Sequence, residues 1–208
     1  MSPQKLHKDQ ELRSYSLDVE LRAAQDSRTI EGYAAIYESP TDIGPFDEVI
    51  AKGAFANADI SDVRALFNHD PSAILARTKS GTLSLTKDEK GLHFRFDAPN
   101  TTAGNDLIES VRRGDVNQAS FAFVIDKDTW AKRDGGRELR IIQKIKTVYD
   151  ISAVTYPAYE DTDVALRSKA AHDEIVVEDQ VLLDKDKNQW LSELRDGLNF
   201  LNRGAAAK

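Results

Sequence analysis

Hydrophobic and polar residues alternate along several short stretches of the chain, which is the pattern of half-buried β-strands. In the first such stretch the apolar positions are Tyr15, Leu17, Val19 and Leu21. A second stretch covers 28–38, where Gly32 is expected to mark a bulge, and a short apolar run covers 64–69. These patterns predict three strands. Between the last two, the segment 38–55 is expected to form loops, with a short helix beginning near Ala54.

The clearest hairpin follows these strands. Its two arms place their apolar side chains on one face, at Leu83, Leu85, Leu92, Phe94 and Phe96. A polar loop over 87–91 joins the arms and ends in Gly91. Strict alternation on both sides of a short loop containing glycine predicts an antiparallel β-hairpin.

The segment 100–114 carries the signals of a helix. Thr101 or Thr102 is suited to the N-cap, and Gly114 is suited to the C-terminal end. The apolar residues between them recur at helical spacing, at Leu107, Ile108 and Val111. The pattern therefore predicts about three turns of amphipathic helix.

Two further apolar segments, 120–125 and 137–154, predict a strand and then one or two more strands, with a turn at 134–136 between them. This number of short strands, with few helices, predicts a β-rich α+β domain of barrel-like or sandwich type. After 167 the chain becomes strongly charged and ends in an amphipathic stretch. We therefore expect a flexible N-terminal arm over 1–13, a folded domain over 14–167, and a charged linker with a C-terminal helical tail over 168–208.

The composition narrows the class of protein. The chain has 208 residues with 40% hydrophobic and 30% charged residues, as in soluble globular proteins. Its net charge is −7, which argues against a general nucleic-acid partner. Neither an apolar stretch long enough to span a membrane nor a secretory signal is evident. The chain contains no cysteine, so disulfides, thiolate nucleophiles and cysteine metal sites are excluded.

Motifs for metals and nucleotides are not found in the sequence. There is no histidine pair at metal-binding spacing and no glycine-rich phosphate loop, so neither metal nor cofactor is expected. Of the four histidines, His7 and His172 fall in polar segments, and His93 lies on the polar face of the predicted hairpin. His69 differs because it ends an apolar strand, where catalytic groups are commonly displayed.

Nucleophilic hydrolysis is the remaining chemistry. It needs a hydroxyl, a base within hydrogen-bond reach and a group that orients the base. Ser120 begins an apolar strand, and Ser152 is a weaker candidate. Asp150 lies in an apolar context, where a carboxylate needs a hydrogen-bonding partner. On local context alone, a structural role fits His69 and Ser120 better than a catalytic one, and the spacing does not decide.

Three segments together resemble the prohead (procapsid maturation) proteases of tailed bacteriophages, which are distant relatives of the herpesvirus maturation protease. The first runs from EGYAAIYESPTD to FDEVIAKGAF. The second is LFNHDP, followed by Arg77. The third pairs VNQASFAF with YDISAVTYPAYEDTDV. The resemblance covers roughly residues 15–167.

The resemblance implies a serine endopeptidase with a herpesvirus-protease-like β-barrel and a few flanking helices. It implies Ser120 as the nucleophile, His69 as the general base and Asp150 as the acid that orients the histidine. The implied substrates are the major capsid protein, a scaffold protein and the chain itself, with self-association into a homo-oligomer. The implied place of action is the assembling procapsid in the host bacterial cytoplasm. The tail would dock on scaffold or capsid protein or be trimmed, and packing back on the domain or self-association is an equal alternative.

Two other functional hypotheses are also compatible with the sequence. One is a non-catalytic capsid-assembly or scaffolding module that keeps the protease fold. The other is a β-rich binding protein of unrelated function. Cleavage that depends on Ser120 distinguishes the protease from both, because a binding module would keep its full mass.

Overall fold

The computed structural model describes residues 11–15, 22–23, 27–133, 135–156, 169–170 and 172–174. The chain divides into two compact units, residues 1–165 and 166–208. Nearly all of the charged linker and helical tail expected over 168–208 lies outside the described residues. All of the elements below belong to the first unit.

Eleven strands and one helix are found in the described part of that unit. In chain order they are β1 (Glu11–Tyr15), β2 (Arg22–Ala23), β3 (Thr29–Ile36), β4 (Thr41–Asp42), β5 (Asp47–Ile50), β6 (Arg64–Phe67), β7 (Asp70–Arg77), β8 (Leu83–Lys87), β9 (Gly91–Asp97), α1 (Thr102–Arg113), β10 (Gln118–Lys132) and β11 (Glu138–Val154). The chain is therefore β-rich with little helix, as its patterning predicts.

The strands form two sheets. The larger has the order β1-β10-β11-β5-β4, with β6 also paired to β11 and β7 paired to β6. The smaller has the order β2-β3-β9-β8. Strand β11 runs antiparallel to β10 but parallel to both β5 and β6, which pair with different parts of its length. The long strand β11 is thus the scaffold on which distant segments of the chain meet.

The described strands do not close into the single barrel that the resemblance implies. No hydrogen-bonded ladder between described strands joins the two sheets, and both remain open. Their apolar faces instead share one core with α1, which includes Ile30 and Phe94 from the smaller sheet, Phe121 and Ile142 from the larger, and Leu107 from the helix. Burial of apolar surface holds the two sheets together without a continuous ladder.

The predicted hairpin and helix are confirmed. Strands β8 and β9 pair antiparallel, and Asp88 Oδ1 accepts the backbone N–H groups of Lys90 and Gly91 in the loop. In α1 the Thr101 hydroxyl accepts the N–H of Gly104, and Gly114 ends the helix in the left-handed region at φ 80°. These features depend on short-range signals, and the sequence contains them.

Several local expectations were wrong. Residues 52–57 form turns instead of a helix near Ala54, because Gly53 has φ 83° and interrupts the helical backbone. The register shift in β3 falls between Tyr33 and Ala35, not at Gly32. The segment 38–55, expected to form loops, contains β4 and β5. For 137–154 the sequence left one or two strands open, and the structure has one.

The last part of the range 1–13, expected to form a flexible N-terminal arm, lies in a strand. Strand β1 begins at Glu11 and pairs with β10. The buried carboxylate of Glu11 accepts hydrogen bonds from the guanidinium of Arg140 at 2.8 and 3.1 Å. This ion pair and the ladder together fix the strand. Residues 1–10 lie outside the described part of the chain.

Candidate active site

His69 is placed by a tight connection between β6 and β7. Asn68 and His69 both adopt left-handed backbone conformations, with φ of 52° and 55°. Asparagine and histidine tolerate this region better than most residues, so the sequence suits the turn. The backbone N–H of Asn68 donates to the carbonyl of Ala153 at 2.9 Å, and Asn68 Oδ1 accepts the N–H of Thr155 at 2.9 Å. The turn is therefore attached to the end of β11.

The sheet register brings the other candidates together. Ser120 on β10 lies directly opposite Ser152 on β11, and Asp150 lies opposite Ala122. Side chains two residues apart on a strand share a face, so Asp150, Ser152 and Ser120 project from the same face of the sheet. Strand β6 runs parallel to residues 150–153 of β11 and ends beside them. His69 consequently lies next to all three.

Ser120, His69 and Asp150 form a chain of hydrogen bonds. His69 Nδ1 is 2.6 Å from Asp150 Oδ1, and His69 Nε2 is 2.7 Å from Ser120 Oγ. An ionised carboxylate only accepts, so Nδ1 carries the hydrogen and donates it to Asp150. Nε2 then presents a lone pair that accepts the Ser120 hydroxyl. This tautomer is the one in which a histidine can remove a proton from a serine.

The site is shielded from water. Ser120 is 0% exposed, and the side chains of His69 and Asp150 are 17% and 13% exposed. A buried carboxylate without partners would be strongly unfavourable, but Asp150 accepts from both His69 and Ser152. Low solvent access also strengthens the charge interactions within the group.

Comparison with known proteins identifies the family. A model of the caudovirus prohead serine protease family matches residues 15–175. The chain belongs to this family. It is 28% identical over 167 residues to the prohead protease of Enterobacteria phage HK97, which covers 78% of this chain and 67% of that protein. The solved structure of the bacteriophage T4 capsid assembly protease, gp21, matches with a TM-score of 0.44 and 11% identity, over 70% of this chain and 97% of that one.

The family match confirms the family predicted from the three sequence segments. The distant relation to the herpesvirus maturation protease stays a prediction. The structure brings Ser120, His69 and Asp150 together, and their catalytic roles are proposals.

Within the described residues, no helix is long and apolar enough to cross a membrane. The expectation that the chain needs neither metal nor cofactor stays a prediction.

Sequence reasoning gave too little weight to two residues at the site. Ser152 was the weaker serine candidate, yet its hydroxyl contacts both His69 and Asp150. Asn68 was not singled out, although an asparagine before a histidine at a strand end is a signal for a left-handed turn. His93, the histidine of the hairpin, lies outside the site. Its ring contacts Tyr33 edge-on, with ring centroids 5.1 Å apart.

Proposed function

We propose that this chain is a serine endopeptidase of phage capsid maturation in which Ser120 is the nucleophile, His69 the general base and Asp150 the residue that orients the histidine. The observation that carries the proposal is the unbroken hydrogen-bond chain from Ser120 Oγ through His69 to Asp150. Membership of a serine protease family supports the same assignment.

The geometry fits acyl transfer through a covalent intermediate. Ser120 Oγ would attack the scissile carbonyl carbon while its proton moves to His69 Nε2. The imidazolium would then give that proton to the leaving amine, and the C–N bond breaks to leave an ester on Ser120. Water would attack this ester by the same route, with His69 again accepting a proton and returning it to Ser120. Asp150 stabilises the positive imidazolium in both halves.

The name of a relative indicates the class of substrate. The similar protein of Enterobacteria phage HK97 is named a prohead protease. We extend this to the present chain and propose that it cleaves the major capsid protein or a scaffold protein inside the assembling procapsid. Cleavage of the chain itself, a homo-oligomeric state, and a fold related to the herpesvirus maturation protease belong to the same proposal.

Intact mass over time tests the assignment. Wild type is incubated alone and with the major capsid protein of the same phage. Ser120→Ala and His69→Ala should each reduce cleavage by about a thousandfold or more, because the nucleophile or its base is lost. Ser84→Ala is the matched control, since it removes an exposed hydroxyl on β8 and should cleave like wild type.

Two results would contradict the proposal. Near-wild-type cleavage by Ser120→Ala would remove the serine from the mechanism. Stable full-length masses in every sample, with the capsid protein still bound, would favour the non-catalytic assembly module instead. Matching melting temperatures for all variants would show that a loss of cleavage is not a loss of fold.

A further inference from the structure

The Ser152 hydroxyl touches both members of the His69–Asp150 pair. Its Oγ is 3.0 Å from Asp150 Oδ1 and 3.1 Å from His69 Nδ1. It also accepts the backbone N–H of His69 at 3.2 Å. Ser152 is 2% exposed, so water has little access to replace these contacts if the hydroxyl is removed.

The single proton of this hydroxyl has one suitable acceptor. His69 Nδ1 must carry its own hydrogen to donate to Asp150, so it does not accept from Ser152. The hydroxyl therefore donates to Asp150 Oδ1 and uses a lone pair to accept the His69 N–H. Asp150 Oδ1 then receives two donors, from Ser152 and from the imidazole, which fixes the direction of the carboxylate.

The backbone of His69 needs this support. A non-glycine residue with φ 55° is in an uncommon conformation that persists only when its surroundings hold it. Asn68 is held by Ala153 and Thr155, as described above. Among the described contacts, the hydrogen bond that the His69 N–H donates to Ser152 Oγ is the one that joins the backbone of His69 to the strand that also carries Asp150.

We propose that Ser152 is a positioning residue for catalysis: it locks the orientation of His69 and of Asp150 relative to each other without touching the substrate. The inference rests on the proposed function. Its chemical role is to keep Nδ1–H directed at the carboxylate and Nε2 directed at Ser120. Without it, His69 and Asp150 would sample other orientations, and fewer molecules would hold the reactive arrangement at any moment.

A fluorophosphonate probe tests this without knowledge of the natural substrate. Ser120 Oγ displaces fluoride from phosphorus, forming an O–P bond while its proton passes to His69. In Ser152→Ala the maximal labelling rate of the full-length chain should fall about ten- to a hundredfold, the size expected for one hydrogen bond to a charged group. The probe concentration at half-maximal rate should stay within about twofold, because binding is not altered.

Conservative replacement and a matched control separate positioning from general stability. Ser152→Thr keeps the hydroxyl and should recover most of the labelling rate. Thr78→Val removes a hydroxyl that also accepts a backbone N–H, from Val63 at 2.8 Å, and donates to the carbonyl of Ser61 at 3.0 Å. That variant should lose stability and label at the wild-type rate. If Ser152→Ala shows no cooperative melting, Ser152→Cys replaces it, since a thiol fills similar space but is a weak donor.

The outcomes distinguish the two proposals. Labelling of wild type at Ser120 with an equal rate in Ser152→Ala would overturn the positioning role and leave the protease assignment intact. Equal losses in Ser152→Ala and Ser152→Thr would also overturn it, because the hydroxyl would then not be the cause. Absence of labelling at Ser120 in wild type would overturn both.

Discussion

The carboxylate of Asp150 is largely buried and is also hydrogen-bonded to the candidate catalytic histidine. It is mostly buried within an apolar stretch of β11, and it accepts from both His69 and Ser152. Its negative charge selects the histidine tautomer with hydrogen on Nδ1. In the proposed mechanism it also stabilises the imidazolium formed during proton transfer. An amide in this place could donate to Nδ1 and so favour the opposite tautomer, in which Nε2 carries the hydrogen and cannot act as a base.

Asp150→Asn should therefore keep the fold and lose most of the cleavage activity. We expect the rate of cleavage to fall by about 10⁴-fold, as when a buried triad aspartate becomes an amide in other serine proteases. The measurement is the cleavage rate of the capsid protein beside a thermal melt. Asp97→Asn is the control, because this carboxylate on β9 accepts from Thr29 at 2.6 Å outside the site. A loss below about tenfold would contradict the role given to Asp150.

At the scale of the element, helix α1 is specified by its ends as much as by its apolar face. Thr101 is in an extended conformation, with φ −117° and ψ 169°, and its hydroxyl accepts the N–H of Gly104 at 3.2 Å. Without such an acceptor, one of the free N–H groups of the first turn loses its protein partner. The neighbouring Thr102 is the first helical residue and is exposed.

Replacing each threonine by alanine tests the cap. Thr101→Ala should lower the free energy of unfolding by about 1 kcal/mol. Thr102→Ala should change it by only a few tenths of a kcal/mol, or raise it slightly, because alanine has the higher helix propensity. Urea unfolding of both variants gives the comparison. Equal destabilisation of the two would contradict the assignment of Thr101 as the cap.

Strand β11 is the element on which the site depends. One part of it pairs with β5 and another with β6, and its whole length pairs with β10. It supplies Asp150 and Ser152 directly, it opposes Ser120 across the ladder, and it anchors the turn that carries His69. A change in its register by one residue would move Asp150 and Ser152 to the other face of the sheet.

At the scale of the whole molecule, the ion pair between Arg77 and Asp62 makes the free energy of unfolding depend on pH in the acid range. The guanidinium of Arg77 donates to Asp62 from Nε at 2.5 Å and from Nη2 at 2.7 Å, and it holds the pKa of this carboxyl at about 2, below the usual 3.8. The pKa is lower in the folded state. The stabilisation is therefore present above pH 3.8 and is lost as the pH falls through about 2.

Asp62→Asn should be less stable than wild type at pH 6, and this difference should shrink as the pH falls from 4 towards 2. Urea midpoints across this range measure it. In an Arg77→Gln background the same substitution should have a smaller effect with little dependence on pH, because the main donor is absent. Both side chains are about one-third exposed, so added salt should also reduce the difference. A difference that stays constant down to pH 2 would contradict this account.

Much of this protein can be read from its sequence because the signals are local. The alternation in β8 and β9, the loop glycine between them, the threonine cap and the C-terminal glycine of α1 each act within a few residues, and the structure contains the predicted hairpin and helix. The segments around His69, Ser120 and Asp150 were enough to predict the family, which the family match confirms. The patterning also predicted a β-rich chain.

The pairing of strands that are distant in the sequence could not be predicted from local patterns and follows from the tertiary fold. The sequence placed His69, Ser120 and Asp150 far apart, and no local pattern stated that β6 would run parallel to the end of β11. The two open sheets in place of a barrel, and the contacts of Ser152, likewise follow from long-range register. Local residues fix backbone conformation, whereas strand pairing is selected by the burial of the whole core, which no segment contains by itself.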